Sequence, residues 1–279
     1  VNPMKYQPKL QFEDKYNIKD KTIPEIRKLI NEVEIDRDLI DSLYADKRKT
    51  TSKIAVKCEK MYRENQILKE KLSEYKNIEN QIYNKGYESI YGFYVTGLPA
   101  AVGPLTCCML KLNRFTEIKG IKYSNQLTSK QRTELLKTIE NKAEVLKIEH
   151  INASIIDKIG LKESIKKGYN ILEDQIDLTS EVDREKIYYI FYKYGLDKKS
   201  SKIIKSTNKK VFSLACASIA AKVNRENKME ELSKKYPAYN FEENHGYITE
   251  KHRAVVKEKG FSPSHRQSFD FEKKLELEF

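Results

Sequence analysis

Residues 91–110 read YGFYVTGLPAAVGPLTCCML and contain no charged side chain, although 34% of the 279-residue chain is Asp, Glu, Lys or Arg. An apolar run of this length suggests a transmembrane helix. Gly97, Pro99, Gly103 and Pro104 would interrupt such a helix at its middle. Two buried strands joined by an irregular Gly/Pro turn fit the pattern better, and we expect no membrane partner.

The charge balance of the chain predicts a polyanionic partner. Lys and Arg number 53 against 41 Asp and Glu, which gives a formal net charge of +12. Nucleic acid is the first candidate for such a partner and an acidic membrane surface the second, whereas solvated lysine-rich helix faces would need no partner. The 18 tyrosines and 10 phenylalanines supply apolar surface for a buried core, which argues against disorder.

The cysteines and the first residues bear on the cellular compartment. None of Cys58, Cys107, Cys108 and Cys216 forms a Cys-x-x-Cys pair, and three of them lie in apolar runs. This pattern predicts reduced, buried thiols, and no histidine stands at zinc-ligand spacing from a cysteine pair. The first ten residues, VNPMKYQPKL, lack the apolar segment of a signal peptide, so we expect a cytoplasmic protein.

Residues 1–85 are predicted to form a helical extension that precedes an α/β domain at residues 86–279. From Ile23 to about Tyr83 the pattern is helical and highly charged. Residues recur there at steps of four and three, with Asn65 as the one polar member among the apolar residues Ile54, Cys58, Met61, Leu68, Leu72 and Tyr75. Such a stripe is typical either of a coiled-coil seam or of a helix that packs against another helix of the same small domain.

Strand-like and helical patterns alternate through the second domain. The strand patterns lie at 90–96, 104–112, 144–151 and 187–194. The helical patterns start at Thr128 with a capping box to Gln131, at about 154, at Ser213 as an N-cap, and at Thr249 with Gly260 as the stop. Alanines in the helix after Ser213 predict that it packs closely on a sheet. Together the patterns predict a mixed β-sheet flanked by helices.

Three motifs follow one another in the last third of the chain. They read SLACASIAAKVNRENKM at 213–229, YPAYNFEENHGYITEKH at 236–252 and GFSPSHRQSF at 260–269. Together they resemble the C-terminal half of bacterial ribonuclease HII, and the helical extension resembles the N-terminal region of some Gram-positive members. The resemblance implies a ribonuclease-H-like mixed sheet flanked by helices.

The resemblance also implies a reaction. Members of the family cut the RNA strand of RNA–DNA hybrids and act at ribonucleotides embedded in DNA, by metal-assisted hydrolysis with two Mg²⁺ or Mn²⁺ ions. Four carboxylates hold these ions. In this chain the four positions read Tyr94, Val95, Phe191 and Thr207, with Tyr192 as the rival for the third. On this reading no catalytic carboxylate and no metal ligand is retained.

Positions that contact substrate in the family are partly retained. Gly97 matches the first glycine of the family's Gly-Arg-Gly, whereas Leu98 replaces the arginine that grips the ribose 2′-hydroxyl. Ser124 matches a motif whose two lysines are amides here, and Tyr247 matches a tyrosine that packs at the junction sugar. The resemblance implies Gly97, Ser124 and Tyr247 as substrate-binding residues, with a core tyrosine as the alternative at position 247.

Four acidic residues are candidate substitutes for the missing carboxylates, namely Asp183, Glu185, Asp197 and Glu226. A solvated strand end is the favoured interpretation for the first three, and a salt bridge is the favoured one for Glu226. For His265 and Arg266 a structural and a functional role stay equally open.

Two functions therefore remain. The first is a ribonuclease HII that acts on RNA–DNA hybrids or on ribonucleotide-containing duplex DNA. The second is a catalytically inactive hybrid-binding or nucleic-acid-binding protein on the same fold. Neutral residues in place of four anions would repel phosphate less, and the excess of Lys and Arg predicts salt-dependent binding. We expect the protein to be a monomer.

Overall fold

The computed structural model describes residues 15–176, 183–194, 199–205 and 209–270. The helices are α1 Ile23–Glu32, α2 Arg37–Ala45, α3 Lys49–Tyr83, α4 Ser129–Lys142, α5 Ala153–Asp174, α6 Phe212–Lys235, α7 Phe241–Asn244 and α8 Glu250–Lys259. The strands are β1 Ser89–Thr96, β2 Leu105–Leu112, β3 Ala143–Ile151, β4 Ile187–Tyr192 and β5 Ser201–Ile204. The chain divides into two compact units, residues 1–71 and 72–279, and α3 contributes to both.

The first unit is helical. Thr22 and Glu25 form a capping box at the start of α1, and Asp36 caps α2 by accepting a hydrogen bond from the Leu39 amide at 2.8 Å. The core of this unit is formed by buried side chains of all three helices, Ile26, Leu39, Ile40, Leu43, Ala55 and Cys58. Helix-on-helix packing therefore accounts for the first part of the apolar stripe.

The stripe on α3 does not serve a single seam. Cys58 is buried in the core of the first unit, Met61 is 43% exposed, and Leu72 and Tyr75 belong to the core of the second unit. Of the two interpretations of the stripe, packing against neighbouring elements fits the structure, because the stripe is divided between two cores.

The second unit is built on a five-stranded sheet with the order β3-β2-β1-β4-β5. The pairs β1–β2 and β2–β3 are antiparallel, whereas β1–β4 and β4–β5 are parallel. The predicted mixed sheet is confirmed, and residues 91–110 form most of β1, the turn and most of β2. Within the described residues no helix is long and apolar enough to cross a membrane. The short strand β5 was not predicted from the sequence.

Successive residues of β1 face opposite sides of the sheet, and each side is covered differently. Helices α4 and α6 and the last part of α3 cover the side that carries Tyr94, and α5 covers the side that carries Phe93. The close approach of α6 is confirmed: a Cβ atom on Gly92 would lie 2.8 Å from Ser213, and Ala215 and Ala217 are fully buried. All four cysteines are buried and free.

Three helix ends test the capping predictions. Thr128 and Gln131 form the predicted capping box of α4, and Thr249 caps α8 by accepting from the His252 amide at 3.2 Å. The prediction of Ser213 as the N-cap of α6 is wrong, because the helix begins one residue earlier, at Phe212. The amide of Ser213 instead donates to the buried carboxyl of Glu79 on α3, at 2.6 Å. Glu79 thus satisfies a helix-terminal N–H that the local sequence leaves open.

Candidate functional site

Three tyrosines meet at the carboxyl end of β1, where the family places its first metal-binding carboxylate. Phe93 of β1 pairs in register with Phe191 of β4, so the next residues along the two parallel strands, Tyr94 and Tyr192, lie side by side. Their rings are stacked with centroids 4.8 Å apart and planes 17° apart. The ring of Tyr123 lies 6.5 Å from Tyr94 and 6.1 Å from Tyr192. We call Tyr94, Tyr123 and Tyr192 the tyrosine cluster.

Phe191 and Val95 point to the other side of the sheet. Phe191 is fully buried, and its ring contacts those of Phe93 and Tyr169 at centroid distances of 5.7 and 5.3 Å. Val95 is 3% exposed in the same core. Of the two candidates for the third carboxylate position, Tyr192 is therefore the one that shares a face with Tyr94. The fourth position, Thr207, lies outside the described residues.

The described residues at this site do not fit two divalent ions. Hard cations such as Mg²⁺ need several carboxylate or carbonyl oxygens. Burial, followed by the neighbouring phenols of Tyr192 and Tyr247, raises the pKa of Tyr94, and burial also raises that of Tyr192. Both hydroxyls therefore stay neutral at physiological pH. Across the described ranges, no group of three or more His, Cys, Asp or Glu side chains could hold a metal ion.

The acids considered as substitutes lie elsewhere or are already paired. Asp183 and Glu185 precede β4, roughly 20 Å of strand away from Tyr192 at about 3.3 Å per residue. Asp183 accepts a hydrogen bond from the Glu185 amide at 2.9 Å. Glu226 forms salt bridges with Arg132 at 2.6 Å and with Lys222 at 3.8 Å, as expected from the sequence. Asp197 lies outside the described residues.

Two buried arginines hold the turn between β1 and β2. Arg225 of α6 donates to the carbonyls of Val102 and His245 at 3.2 and 3.0 Å. Arg266 donates to the carbonyls of Gly103 and Leu98 at 3.0 and 3.3 Å. Burial, followed by the charge of Arg225, lowers the pKa of Arg266 to about 9, so it remains a cation at neutral pH. These arginines fix the shape of the loop in which the family grips the ribose.

Gly97 has a structural role at the start of this turn. Its φ is +84°, and a Cβ atom there would overlap the side chain of Arg225 and the carbonyl of Pro104. Sequence reasoning matched the glycine to the family motif but missed Arg225 as its neighbour. The signal was present, because a single arginine follows a run of small apolar residues on the most buried helix.

Tyr247 lies beside the tyrosine cluster and both arginines. It is partly exposed, and its hydroxyl is close enough to influence the pKa of Tyr94, Arg225 and Arg266. The carbonyl of Tyr247 accepts a hydrogen bond from Nδ1 of His252 at 3.0 Å. The structure therefore brings Tyr247 to the same site as Tyr94 and Gly97.

A pair of buried histidines supports the backbone of Tyr247. The amide of Ser262 donates to Nδ1 of His265 at 2.8 Å, so in the neutral ring Nε2 of His265 carries the proton. That proton is donated to Nε2 of His252 at 3.0 Å, which leaves Nδ1–H of His252 to bind the Tyr247 carbonyl. Burial and the neighbouring His252 lower the pKa of His265 to about 4, which keeps the ring neutral. His265 and Arg266 thus act as supports of the site.

Ser124 is placed behind the tyrosine cluster. It is 5% exposed, its amide donates to Oγ of Ser218 on α6 at 2.9 Å, and its carbonyl accepts from Arg132 at 3.3 Å. The next residues, Asn125 and Gln126, are exposed. The structure thus gives Ser124 a packing role and leaves amides where the family places its lysines.

Comparisons with known proteins agree with this architecture. A family model described as Ribonuclease HII matches residues 96–272, and one described as Ribonuclease HII N-terminal domain matches residues 22–83. The ribonuclease HII of Clostridioides difficile (strain 630) is 30% identical over 258 residues, which cover 90% of this chain and 98% of that protein. The ribonuclease HII of Listeria monocytogenes serotype 4b (strain F2365) is 31% identical over 259 residues, which cover 92% of this chain and 97% of that protein.

Solved structures with low sequence identity share the fold. Ribonuclease H2 from Pyrococcus horikoshii has a TM-score of 0.55 at 18% identity and is matched over 66% of this chain and 95% of its own. Bst-RNase HIII in complex with Mn²⁺ has a TM-score of 0.52 at 14% identity, over 68% of this chain and 70% of its own. These likenesses support a ribonuclease-H-like sheet. With the family models matching 22–83 and 96–272, the chain belongs to the ribonuclease HII family.

Proposed function

We propose that this protein binds RNA–DNA hybrids, or duplex DNA that contains ribonucleotides, without cutting them. The observation that carries the proposal is the stack of Tyr94 on Tyr192 at the carboxyl end of two parallel strands, where the family holds divalent ions. Two neutral phenols there provide no site for a pair of cations. Family membership supplies the class of nucleic acid.

Electrostatics favours binding over catalysis at this site. Carboxylates beside a phosphodiester repel it unless metal ions neutralise them, whereas the phenols of Tyr94 and Tyr192 are neutral at physiological pH. The chain as a whole has a formal net charge of +12, which attracts a polyanion over a range set by the ionic strength. Binding is therefore expected without divalent ions and with strong dependence on salt.

Aromatic side chains at the site offer contacts that do not depend on charge. Tyr94 and Tyr247 are both partly exposed, and the phenol of Tyr247 lies near enough to contribute to the raised pKa of Tyr94. Stacking of a base or sugar on a tyrosine ring is worth about 1–3 kcal/mol per base in single-strand binding proteins. We assign this contact to Tyr247, whose backbone is fixed by His252.

Metal-dependent cleavage is the second candidate. It is favoured by relatives about 30% identical over most of the chain, all described as ribonuclease HII, and by the Mn²⁺ complex of one structural neighbour. Cleavage by this chain would require divalent ions held by groups other than the side chains at positions 94, 95 and 192. We also propose a cytoplasmic location and a monomeric state, and sedimentation of the purified protein would check the monomeric state.

Fluorescence anisotropy with a labelled RNA–DNA hybrid, in EDTA, tests the binding proposal. Log K is expected to fall linearly with log salt, with a slope of about −3 or steeper, which corresponds to about three or more phosphate contacts. The variant Tyr94→Asp should weaken binding at least fivefold in EDTA, since a new anion then faces the phosphodiester backbone.

A matched control separates this local effect from the change in net charge. Phe115 is 82% exposed and lies just beyond β2, at the end of the antiparallel β1–β2 pair remote from Tyr94. The variant Phe115→Glu should leave the affinity within twofold. An affinity that does not change with salt, or an equal loss of affinity in the Phe115→Glu control, would contradict the proposal.

A further inference from the structure

A cavity of about 300 Å³ lies on the side of the sheet opposite the tyrosine cluster. Helix α5 packs on β2 and β3, so it leaves this side of β4 and β5 less covered. The cavity opens beside the carboxyl ends of β4 and β5, between these strands and α5. It is separate from the candidate functional site, because Phe93 and Phe191 form part of its wall, and they face away from Tyr94.

The wall of the cavity is apolar and largely aromatic. Phe93, Phe191 and Tyr169 are buried there, and their rings pack edge-on or tilted against one another. Ile203 of β5 and Tyr194 complete the wall and are 42% and 44% exposed. Large apolar side chains this exposed next to a cavity offer a surface on which a flat ring can be buried.

The rim of the cavity is cationic. Lys162 and Lys166 lie one turn apart on α5, and Lys193 and Lys205 follow β4 and β5. All four are exposed, and among the described residues of the lining Glu163 is the one acidic side chain. Within the described part of the chain none of the four ammonium groups forms a salt bridge with a carboxylate. An anion is therefore the complementary ligand group.

The backbone holds Lys193 and Tyr194 in fixed directions. Lys193 has a φ of +63°, which is rare for a residue with a side chain. Its amide donates to the Ile204 carbonyl at 2.8 Å, and the Tyr194 amide donates to the Tyr192 carbonyl at 2.8 Å. The result is a tight three-residue turn that places Tyr194 next to the cavity, while the ammonium of Lys193 lies 5.6 Å from the ring centroid of Tyr192.

We propose that this cavity binds a nucleotide, with the base against the apolar wall and the phosphate at the lysine rim. The volume is at the lower limit of about 300–1,000 Å³ for small-molecule sites, which fits one ring system. The exposed ring of Tyr194 can stack on any base beside Ile203, and lysines at the mouth bind the attached phosphate as point charges. The nucleotide is either free or an unpaired residue at the end of a nucleic-acid strand.

Two binding measurements distinguish these sources. In the first, AMP is titrated into the protein by calorimetry, with adenosine and inorganic phosphate as separate ligands. In the second, a blunt RNA–DNA hybrid is compared with the same hybrid carrying a one-nucleotide overhang. Saturable AMP binding, at least tenfold tighter than adenosine or phosphate alone, indicates a free nucleotide. A preference of at least fivefold for the overhang indicates a strand end.

Variants locate the binding in the cavity. Lys166→Glu and Tyr194→Ala should each lower the affinity for the preferred ligand at least fivefold. Lys202→Glu is the matched control, because Lys202 neighbours Ile203 on β5 and so faces the other side of the sheet. It should change affinity less than twofold. The proposal is overturned if AMP binds no more tightly than adenosine or phosphate and the overhang hybrid no more tightly than the blunt one. It is also overturned if Lys202→Glu loses as much affinity as Lys166→Glu. Binding of the blunt hybrid reports separately on the tyrosine cluster.

Discussion

Single side chains at the ends of two strands determine the chemistry of the candidate site. At position 94 a carboxylate would face the core of the site, whereas the tyrosine stacks on Tyr192 and fills the same space with neutral rings. The sequence alone left the third carboxylate position open between Phe191 and Tyr192. The strand register resolves the geometry, since Tyr192 is the residue that shares a face with Tyr94.

Aspartate substitutions at these two neighbours should differ in their effect on stability. Phe191→Asp places a charge among Phe93 and Tyr169 in a dry core, which should cost at least about 4 kcal/mol of unfolding free energy. Tyr192→Asp lies at the edge of the site and should cost about 2 kcal/mol. Urea unfolding of both variants checks the order. Equal losses, or a greater loss at Tyr192, would contradict the assignment of faces.

The histidine pair predicts a loss of stability in mild acid. The folded-state pKa of His265 is lowered to about 4, against about 6.5 in the unfolded chain. The neutral pair therefore contributes fully to the free energy of unfolding above pH 6.5. This contribution falls by about 1.4 kcal/mol per pH unit as the pH drops from 6.5 to 4. The total loss is on the order of 3 kcal/mol. A ring titration by NMR that places the pKa of His265 near 6.5 would rule this out.

At the scale of elements, α6 is attached to the sheet by small residues and by a carboxyl from another helix. Gly92 leaves room for the helix, and Glu79 of α3 satisfies the Ser213 amide at its first turn. Burial raises the pKa of Glu79, so its stabilising effect is greatest below the unfolded-state pKa and declines as the pH rises through the folded-state value.

Substitution of Glu79 separates hydrogen bonding from charge. Glu79→Leu leaves the buried Ser213 amide without an acceptor and should cost about 2 kcal/mol. Glu79→Gln retains an acceptor without the buried charge, and at pH 8 it should be at least as stable as the unaltered protein. Glu70→Leu, at an exposed position of the same helix, should stay within about 0.5 kcal/mol. Chemical denaturation measures all three, and a neutral Glu79→Leu would refute the capping role.

Most helices and strands could be predicted from local sequence patterns, whereas features that depend on tertiary contacts could not. Alternation and the Gly/Pro turn were sufficient to predict β1 and β2, and the Thr128 capping box was confirmed because both partners are close in sequence. Glu79 was missed because it is 134 residues from Ser213. The break in α5 at Gly160, with φ +77° and ψ 166°, was also missed. Strand β5 has only four residues, two of them exposed, and gave too weak a pattern.

At the scale of the whole molecule, the chain has the fold of its family, whereas the loss of the family's metal site is our proposal. The family model matches residues 96–272, and within that range two buried arginines hold the glycine turn. The predicted substrate-binding residues Gly97, Ser124 and Tyr247 surround the tyrosine cluster, and their role in binding stays a proposal. A protein of this kind should recognise the family's nucleic acid and leave it intact.

The most direct test of this account is a nicking assay on the unaltered chain. A labelled DNA duplex with one embedded ribonucleotide is incubated with the protein in Mg²⁺ and, separately, in Mn²⁺, and the products are resolved on a denaturing gel. The account predicts an intact strand at protein concentrations at which anisotropy shows the duplex bound. Metal-dependent cleavage at the ribonucleotide, abolished by EDTA, would contradict it.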